Sequence, residues 1–235
     1  MFKKMEITFN MATIPSRFKL ALKAIDSVYD QADKIRIYLN NFEQVPEELN
    51  RDKIVTHIGE DLNAAGKLFW ALNPNEYYFC IDDDIRYPST YVKDMLKNLN
   101  FYNDKIFATL HGKILKPTPV TSYFKGWETT LHCLGGFDNS TFINIVGTGV
   151  CAFNTNNIKI DVSSFTHNFT VDIETSLQLQ SQKIPSLAIA HSSSYLKYEE
   201  PNNIPGVKTL YTQHSSNDKI HTEKVNSISW KVYAL

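Results

Sequence analysis

The chain has 235 residues, of which 43% are hydrophobic and 21% are charged, so it can bury a sizeable core and is expected to fold as one domain. Its formal net charge of -1 argues against a nucleic-acid partner, because a nucleic-acid surface needs an excess of lysine and arginine. No window approaches the ~18 apolar residues of a membrane span, and no signal-peptide pattern begins the chain. We therefore expect a cytoplasmic protein, with a peripheral contact at the inner face of the membrane left open.

The first half of the chain alternates short apolar runs with helical patterns. Strands are predicted over residues 5–12, 34–40, 53–59 and 77–81, and helices over 18–32, 62–72 and 91–99. In the first helix, apolar residues from Phe18 to Tyr29 recur at helical spacing, and Pro15 and Ser16 mark its start. This order predicts an α/β fold with a mostly parallel sheet flanked by helices.

The second half is less regular. Strands are predicted over residues 106–112, 143–153 and 185–190, and a helix over 171–182. Residues 113–142 form a connection longer than the usual limit of ~12–15 residues, which is typical of functional or mobile loops. The tail from Ser192 to Asn226 is rich in Ser, Asn, His and Tyr, and it is predicted to be a loop that orders on ligand binding.

Three cysteines are present, Cys80, Cys133 and Cys151. They show neither CxxC spacing nor the Cys/His spacing that is typical of a metal site. An odd number of cysteines without such spacing predicts reduced thiols of a cytosolic protein.

Three consecutive aspartates, Asp82, Asp83 and Asp84, follow the fourth predicted strand. Ligands of such sheets bind beyond the carboxyl ends of the strands, so the loops TIPSR, NNFEQ and GEDLNAAGK are expected to converge with the aspartates on one crevice. A helix cap explains the aspartates poorly, because residues 88–90 already supply a helix start; a solvated acidic turn is the other structural alternative. Adjacent carboxylates repel unless a cation compensates. Their oxygens suit Mg²⁺ or Mn²⁺, which predicts a divalent ion holding a diphosphate.

Six segments carry a resemblance to a known enzyme class: TIPSR, IYLNNFEQVPEEL, AAGKLF, IDDDIRYPSTYVKDML, IVGTGV and VDIETSL. They are similar to segments of glycosyltransferases of the GT-A fold, which use nucleotide sugars and chelate a metal with a strand-terminal DxD. More narrowly, the chain resembles the bacterial capsule enzymes that add α-linked N-acetylglucosamine during heparosan synthesis, a small single-domain retaining family.

The resemblance implies the partners and the layout of the chain. It implies a UDP-sugar donor, a saccharide acceptor, Mn²⁺ or Mg²⁺ as cofactor, and a partner glycosyltransferase in a polymerase complex as a further partner to consider. It divides the single domain over 1–235 into a nucleotide-sugar-binding half at 1–112 and an acceptor-binding half at 113–235, which ends in the mobile C-terminal loop.

The resemblance also implies roles for residues of the first two loops and of the acidic run. Asp82 and Asp84 would serve the ribose and the metal, with Asp84 as the direct metal ligand, and Asp83 would lie near the donor sugar as a catalytic residue. Thr13 and Arg17 of the first loop would meet the nucleotide or its diphosphate. Arg17 is otherwise a surface arginine at a helix start, where the helix dipole disfavours it.

Further roles fall outside the acidic run. Lys67 of the AAGK match would bind the donor, and Asn40 or Asn41 would bond the uracil edge, although asparagines there are also ordinary turn formers. Asp172 matches an acidic position that lies beside the reacting sugar and the acceptor. A purely structural role is equally plausible, because an acidic residue in the first turn of a helix is favourable by itself. Glu174 is the alternative candidate for the catalytic acid.

The sequence departs from the family pattern after residue 190. His191 stands where the family has a basic residue, and Tyr195 stands in place of a tryptophan. As an imidazole that follows a strand, His191 is our candidate for completing the metal shell, although a lone histidine is more often a simple loop residue.

Two rival functions stay open. A nucleotidyltransferase that makes the sugar nucleotide usually carries a glycine-rich loop after the first strand, and TIPSR contains no glycine. A catalytically silent subunit of a polysaccharide polymerase would keep the aspartates without turnover. A phosphoaspartate fold is disfavoured, because no acid ends the first strand.

Overall fold

The computed structural model describes residues 4–199 and 217–235 of the chain. The strands are β1 (Glu6–Thr13), β2 (Lys34–Asn40), β3 (Ile54–Gly59), β4 (Glu76–Ile81), β5 (Ile85–Arg86), β6 (Phe107–Thr109), β7 (Gly112–Leu115), β8 (Trp127–Leu131), β9 (Thr141–Phe142), β10 (Ile145–Val146), β11 (Val150–Asn154), β12 (Ser186–Ala188) and β13 (Lys197–Tyr198). The α-helices are α1 (Phe18–Val28), α2 (Tyr91–Phe101), α3 (Val171–Ser181) and α4 (Lys219–Val225). Among these residues, no helix has the length and apolar character needed to cross a membrane.

The strands form one large sheet and two small ones. The large sheet has the order β3-β2-β1-β4-β11-β6-β12-β9. All its strands run in the same direction except β11, which is antiparallel to β4 and β6, and β9, which is antiparallel to β12. A three-stranded antiparallel sheet, β10-β7-β8, and a two-stranded ribbon, β13-β5, complete the fold. The predicted class, an α/β fold with a mostly parallel sheet flanked by helices and a smaller mixed part, is confirmed.

Both faces of the large sheet are covered, as a parallel sheet requires. Side chains alternate between the two faces of a strand, so Phe9 and Met11 of β1 join the core that contains residues of α1 and α2. Tyr78 of β4 lies in the opposite core with Leu179 of α3. The sheet therefore has two separate cores, and its strand ends are the places left open to ligands.

The two long helices of the first half follow their sequence patterns. The buried face of α1 is the predicted apolar stripe, with Ala21, Ile25 and Val28 fully enclosed. α1 follows a short 3-10 turn over Pro15–Arg17, and α2 begins at Tyr91 directly after residues 88–90. The predicted starts of both helices are confirmed.

The predicted helix over 62–72 is wrong. The chain forms a 3-10 segment over Asn63–Leu68 instead, followed by turns. The side chain of Asn40 fixes the start of this segment through Leu62 and Asn63, and Asn63 has a positive φ of 49°. Gly66 then packs so closely on the Tyr38 ring that an added Cβ would lie 2.7 Å from it. These close contacts hold the segment against β2 in a tighter conformation than an α-helix.

Three other predictions need correction. The predicted strand over 143–153 is two strands in different sheets, because the chain turns at residues 147–149 between β10 and β11. The connection over 113–142 contains β8, β9 and most of β7 rather than a long loop. The predicted loop after Ser192 contains β13 and α4, and its residues 200–216 lie outside the described part of the chain.

Candidate active site

The acidic run directly follows β4, and side chains from the loops after β1 and β3 converge on it. Asp83 accepts hydrogen bonds from Thr13 Oγ1 at 2.8 Å and from Arg17 Nε at 3.0 and 3.1 Å. Arg17 Nη2 also contacts Asp83 and reaches Asp84 Oδ2 at 2.7 Å. Lys67 Nζ forms an ion pair with Asp82 Oδ1. The predicted convergence of strand-end loops is confirmed for these side chains.

The site carries more negative than positive charge. When all three carboxyl groups are ionised they meet only two cations, Arg17 and Lys67, which leaves an excess of one negative charge. Both cations are largely buried, with 14% of the Arg17 side chain and 4% of the Lys67 side chain exposed. Asp82 is the open member of the acidic run, since 39% of its side chain is exposed. A further cation is therefore favoured here, and Asp82 is where it can be reached from solvent.

The three carboxyl groups differ in proton affinity. Burial raises the pKa of Asp84 to about 7, and the neighbouring charges of Asp82 and Asp83 contribute to the rise. Arg17 acts in the opposite direction without cancelling it. Burial also raises the pKa of Asp83. For Asp82, burial opposes ionisation but the ion pair with Lys67 outweighs it, so the pKa of Asp82 is lowered.

Gly149, in the turn before β11, and Tyr87, directly after β5, support Asp82. The backbone N–H of Asp82 donates to the carbonyl of Gly149 at 3.1 Å. The Tyr87 hydroxyl accepts from the same N–H at 2.9 Å and donates to the Gly149 carbonyl at 2.6 Å. An added Cβ at Gly149 would lie 1.8 Å from the Asp82 carboxylate. Glycine is therefore required there for the close approach of the carboxylate to the backbone.

Asp172 lies at the edge of the same group. It occupies the first turn of α3, and its Oδ1 accepts from the Thr148 N–H at 2.9 Å and from Thr148 Oγ1 at 2.7 Å. Burial acts to lower the pKa of Lys67, but the pKa is raised because the nearby charge of Asp82 outweighs burial. The charge of Asp172 adds a smaller rise, so Asp172 lies close enough to Lys67 for their charges to interact. The structure thus brings Asp172 towards the acidic run through the turn at 147–149.

The asparagines after β2 hold the neighbouring loop. Asn40 Nδ2 donates to the Asn63 carbonyl at 3.1 Å, and its Oδ1 accepts from the Leu62 N–H at 2.9 Å. Asn41, which has a positive φ of 60°, donates to Asp61 at 2.9 Å. Both amides are engaged within the protein, and contact with a uracil edge stays a prediction.

His191 is held by backbone carbonyls. Its Nδ1 lies 2.9 Å from the Ile189 oxygen, and its Nε2 lies 2.8 Å from the Cys133 oxygen. Tyr195, at the position of the family's tryptophan, packs near it and donates to Asp94 at 2.7 Å. The role of His191 as a metal ligand stays a prediction, because both of its ring nitrogens contact backbone carbonyl oxygens.

A groove lies between the loops that follow β1 and β2. It has a volume of about 870 Å³, and its walls include Pro15, Phe18, Asn41 and Phe42. The rings of Phe18 and Phe42 meet edge to face with centroids 5.9 Å apart. The groove thus offers aromatic and amide groups next to the loop that carries Arg17.

The donor set of the acidic run fits a hard divalent ion. The side chains at its centre are carboxylates, and oxygen ligands of this kind suit Mg²⁺ and Mn²⁺. The excess negative charge attracts a cation, and the exposure of Asp82 lets a cation reach the site from solvent. The assignment of Asp82 and Asp84 as the residues that hold such an ion stays a prediction.

Sequence reasoning missed Tyr87 altogether and did not find the protein contacts of Thr148 and Gly149. The GTG run at 147–149 predicts close approach of the backbone to a sugar or diphosphate, or a strand bulge. In the structure the Gly149 backbone closely approaches the Asp82 carboxylate, and contact with a ligand stays a prediction. Nothing in the sequence indicates that Thr148 bonds Asp172, which lies in a distant helix, or that the Tyr87 hydroxyl bonds the Asp82 N–H.

Among known proteins, matches to this chain are found in solved structures. No family model and no curated protein matches the chain. Among solved structures, the chain is similar to 2-C-methyl-D-erythritol 4-phosphate cytidylyltransferase of Francisella tularensis, with 12% sequence identity and a TM-score of 0.43. The match covers 81% of this chain and 92% of that chain. A likeness at this level assigns neither a family nor an activity.

Proposed function

We propose that the chain is a metal-dependent glycosyltransferase, which moves a sugar from a UDP-sugar to a saccharide acceptor in the synthesis of a bacterial surface polysaccharide. N-acetylglucosamine is the sugar that the resemblance favours. The observation that supports the proposal is the acidic run after β4, buried against Arg17 and Lys67 with an excess of negative charge. In α/β sheets, ligands bind at this edge.

Arg17 and Lys67 are the proposed ligands of the diphosphate. Without a ligand, each cation is paired with a carboxylate. A bound diphosphate offers them new oxygens, and charge-assisted bonds from arginine to phosphate are among the strongest polar contacts in proteins. A divalent ion held by Asp82 and Asp84 would supply Lewis-acid neutralisation of the leaving diphosphate. Thr13 then keeps Asp83 oriented while Arg17 turns towards the phosphates.

Asp172 is the proposed carboxylate on the sugar side. Thr148 fixes one of its oxygens, and Lys67 lies close enough for the two charges to interact. In a retaining enzyme Asp172 would stabilise the positive sugar or orient the acceptor, whereas in an inverting enzyme it would be the general base. We assign binding of the donor to residues 1–112 and binding of the acceptor to residues 113–235. The anomeric configuration of the product, read by NMR, separates the retaining mechanism from the inverting one.

Ligand-dependent thermal stability is the first test. A ligand that binds only the folded state raises the melting temperature by mass action. We expect UDP-N-acetylglucosamine with Mn²⁺ to stabilise the protein, and the stabilisation to disappear in Asp84→Ala. Asp138→Ala removes an exposed aspartate elsewhere and is the matched control, for which the stabilisation should be retained. An equal response of Asp84→Ala and the parent protein to the ligands contradicts the proposed site.

Turnover assays separate the rival functions. Release of UDP from a UDP-sugar, with or without an acceptor, supports glycosyl transfer. Release of pyrophosphate from a nucleoside triphosphate and a sugar phosphate supports a nucleotidyltransferase, because the same carboxylates and cations would also suit a triphosphate. Binding of a UDP-sugar without turnover supports a silent subunit of a polymerase complex.

A further inference from the structure

Two histidines and a cysteine meet at the open end of the β7–β8 hairpin. The register pairs Gly112 with Leu131, which sets His111 and His132 opposite each other just beyond the paired residues. Their rings meet edge to face with centroids 5.2 Å apart. Cys133 follows in a tight turn, and one ring nitrogen of each histidine and the Cys133 sulfur all lie within 4.8 Å of one another.

The imidazole lone pairs are directed at this turn. His111 Nδ1 accepts from the Cys133 N–H at 3.4 Å, and His132 Nδ1 accepts from the Leu134 N–H at 3.2 Å. A ring nitrogen that accepts an N–H carries no proton, so both Nδ1 atoms present lone pairs. Both distances exceed the usual ~2.9–3.0 Å. A cation that takes these lone pairs therefore displaces only weak hydrogen bonds.

The surroundings hold two of the three groups in place. The His111 carbonyl accepts from the Gly147 N–H at 2.8 Å, and an added Cβ at Gly147 would lie 2.6 Å from the His111 Cβ. Cys133 is buried, and its carbonyl lies 2.8 Å from His191 Nε2. His132 is exposed, so it can move and leaves the group open to solvent.

We propose that His111, His132 and Cys133 bind one borderline divalent transition-metal ion of the Zn²⁺ class, separate from the ion of the carboxylates. Imidazole and thiolate ligands select such ions, whereas carboxylates suit Mg²⁺ and Mn²⁺. Zinc bond lengths of ~2.0–2.3 Å place ligand atoms about 3.5 Å apart, so ligand atoms that lie within 4.8 Å of one another need to move closer by at most about 1.3 Å. The exposed His132 supplies that movement, and the thiol proton of Cys133 passes to solvent on binding. Three protein ligands leave the fourth position open, as in catalytic zinc sites.

The test is a titration of the metal-free full chain with Co²⁺, followed by absorption. A cobalt–thiolate bond gives a sulfur-to-metal charge-transfer band that carboxylate ligands do not give. We expect the band to saturate at one Co²⁺ per chain and to be bleached by Zn²⁺ but not by Mn²⁺. It should be lost in Cys133→Ser and kept in Cys151→Ala, the matched control at another buried thiol. His132→Ala should weaken Co²⁺ binding by more than about tenfold.

Two results overturn the proposal: no charge-transfer band in excess Co²⁺, or a band that survives in Cys133→Ser. Circular dichroism checks that the variants fold. If Cys133→Ser unfolds, His132→Ala decides, because an exposed side chain can be removed without loss of the fold, and unchanged Co²⁺ affinity then refutes the site. The readout needs neither nucleotide nor turnover. The test of this metal site is therefore independent of the proposed glycosyl transfer. Asp84→Asn, which changes the acidic run, should keep the charge-transfer band.

Discussion

The two ends of β4 both bury charge, but they differ in balance. At the amino end, Glu76 accepts two bonds from Arg36, at 2.6 and 2.7 Å, and a third from Thr8 Oγ1 at 3.0 Å. One positive charge meets one negative charge there, and about 5% of each side chain is exposed. At the carboxyl end, three carboxylates meet two cations, and Asp82 is open to solvent.

This difference separates a structural ion pair from a binding site. A closed pair with matched charge and satisfied hydrogen bonds has nothing left to offer a ligand, and removing one partner strands the other in a buried environment. A group of side chains with an excess of one charge destabilises the folded state, and the rest of the fold must offset this cost in stability. That cost would be recovered on binding of a ligand of opposite charge, which is why we propose the end carrying the aspartates as the functional end.

The largest effect is expected at the balanced end. Glu76→Ala leaves the Arg36 charge buried without its partner, and should lower the free energy of unfolding by about 4 kcal/mol. Denaturant unfolding measures this. Glu6→Ala is the control, because it removes a partner of the more exposed Lys34 and should cost less than about 1 kcal/mol. A similar, small cost for both variants would remove the distinction between the two ends of β4.

A smaller effect of opposite sign is expected at the unbalanced end. Because the folded-state pKa of Asp84 is raised from 3.8 to about 7, the folded protein binds this proton more tightly than the unfolded chain. Stability is therefore lost as the pH rises from about 4 to about 7. Asp84→Asn removes this loss and should be more stable above pH 7, by up to about 4 kcal/mol less what it loses in bonding to Arg17, with no difference below about pH 4.

Thermal and denaturant unfolding in metal-free buffer across that pH range checks this prediction. Asp138→Asn, which changes an exposed aspartate, should show no pH-dependent gain. If Asp84→Asn is less stable than the parent protein at pH 8, the excess of negative charge does not strain the fold.

The smallest effect concerns a single hydrogen bond. Thr13→Val keeps the shape of a buried side chain and removes its donor to Asp83, which should cost about 1 kcal/mol of unfolding free energy. Thr129→Val on the exposed surface of β8 is the control, and should change stability by less than about 0.5 kcal/mol. Equal values for the two variants would mean that Asp83 does not depend on Thr13 for its orientation.

The parts of the site that were predictable are those that follow strands of a parallel sheet. Arg17, Lys67 and the aspartates each lie just beyond a strand, and one topological rule brings them together without knowledge of distant pairing. The helix over 62–72 failed because local periodicity does not register the contact of Gly66 with Tyr38. Tertiary packing decided that segment.

Contacts made through the second half were not predictable. Asp172 meets Thr148 only because β10 and β11 belong to different sheets, and His111 meets Cys133 only because β7 pairs with β8. The sequence separates His111 and Cys133 by a stretch that resembles a loop, so no spacing rule for metal ligands applies. Such contacts are set by the pairing of strands that lie far apart in the sequence, and no local pattern in a single sequence predicts that pairing.

The turn at 147–149 touches three functional groups at once. Gly147 packs on His111, Thr148 holds Asp172 and Gly149 supports Asp82. Under the proposed function, a displacement of α3 is expected to shift the Asp82 carboxylate by way of these three consecutive residues. We therefore expect binding of the acceptor to influence binding of the donor through this turn.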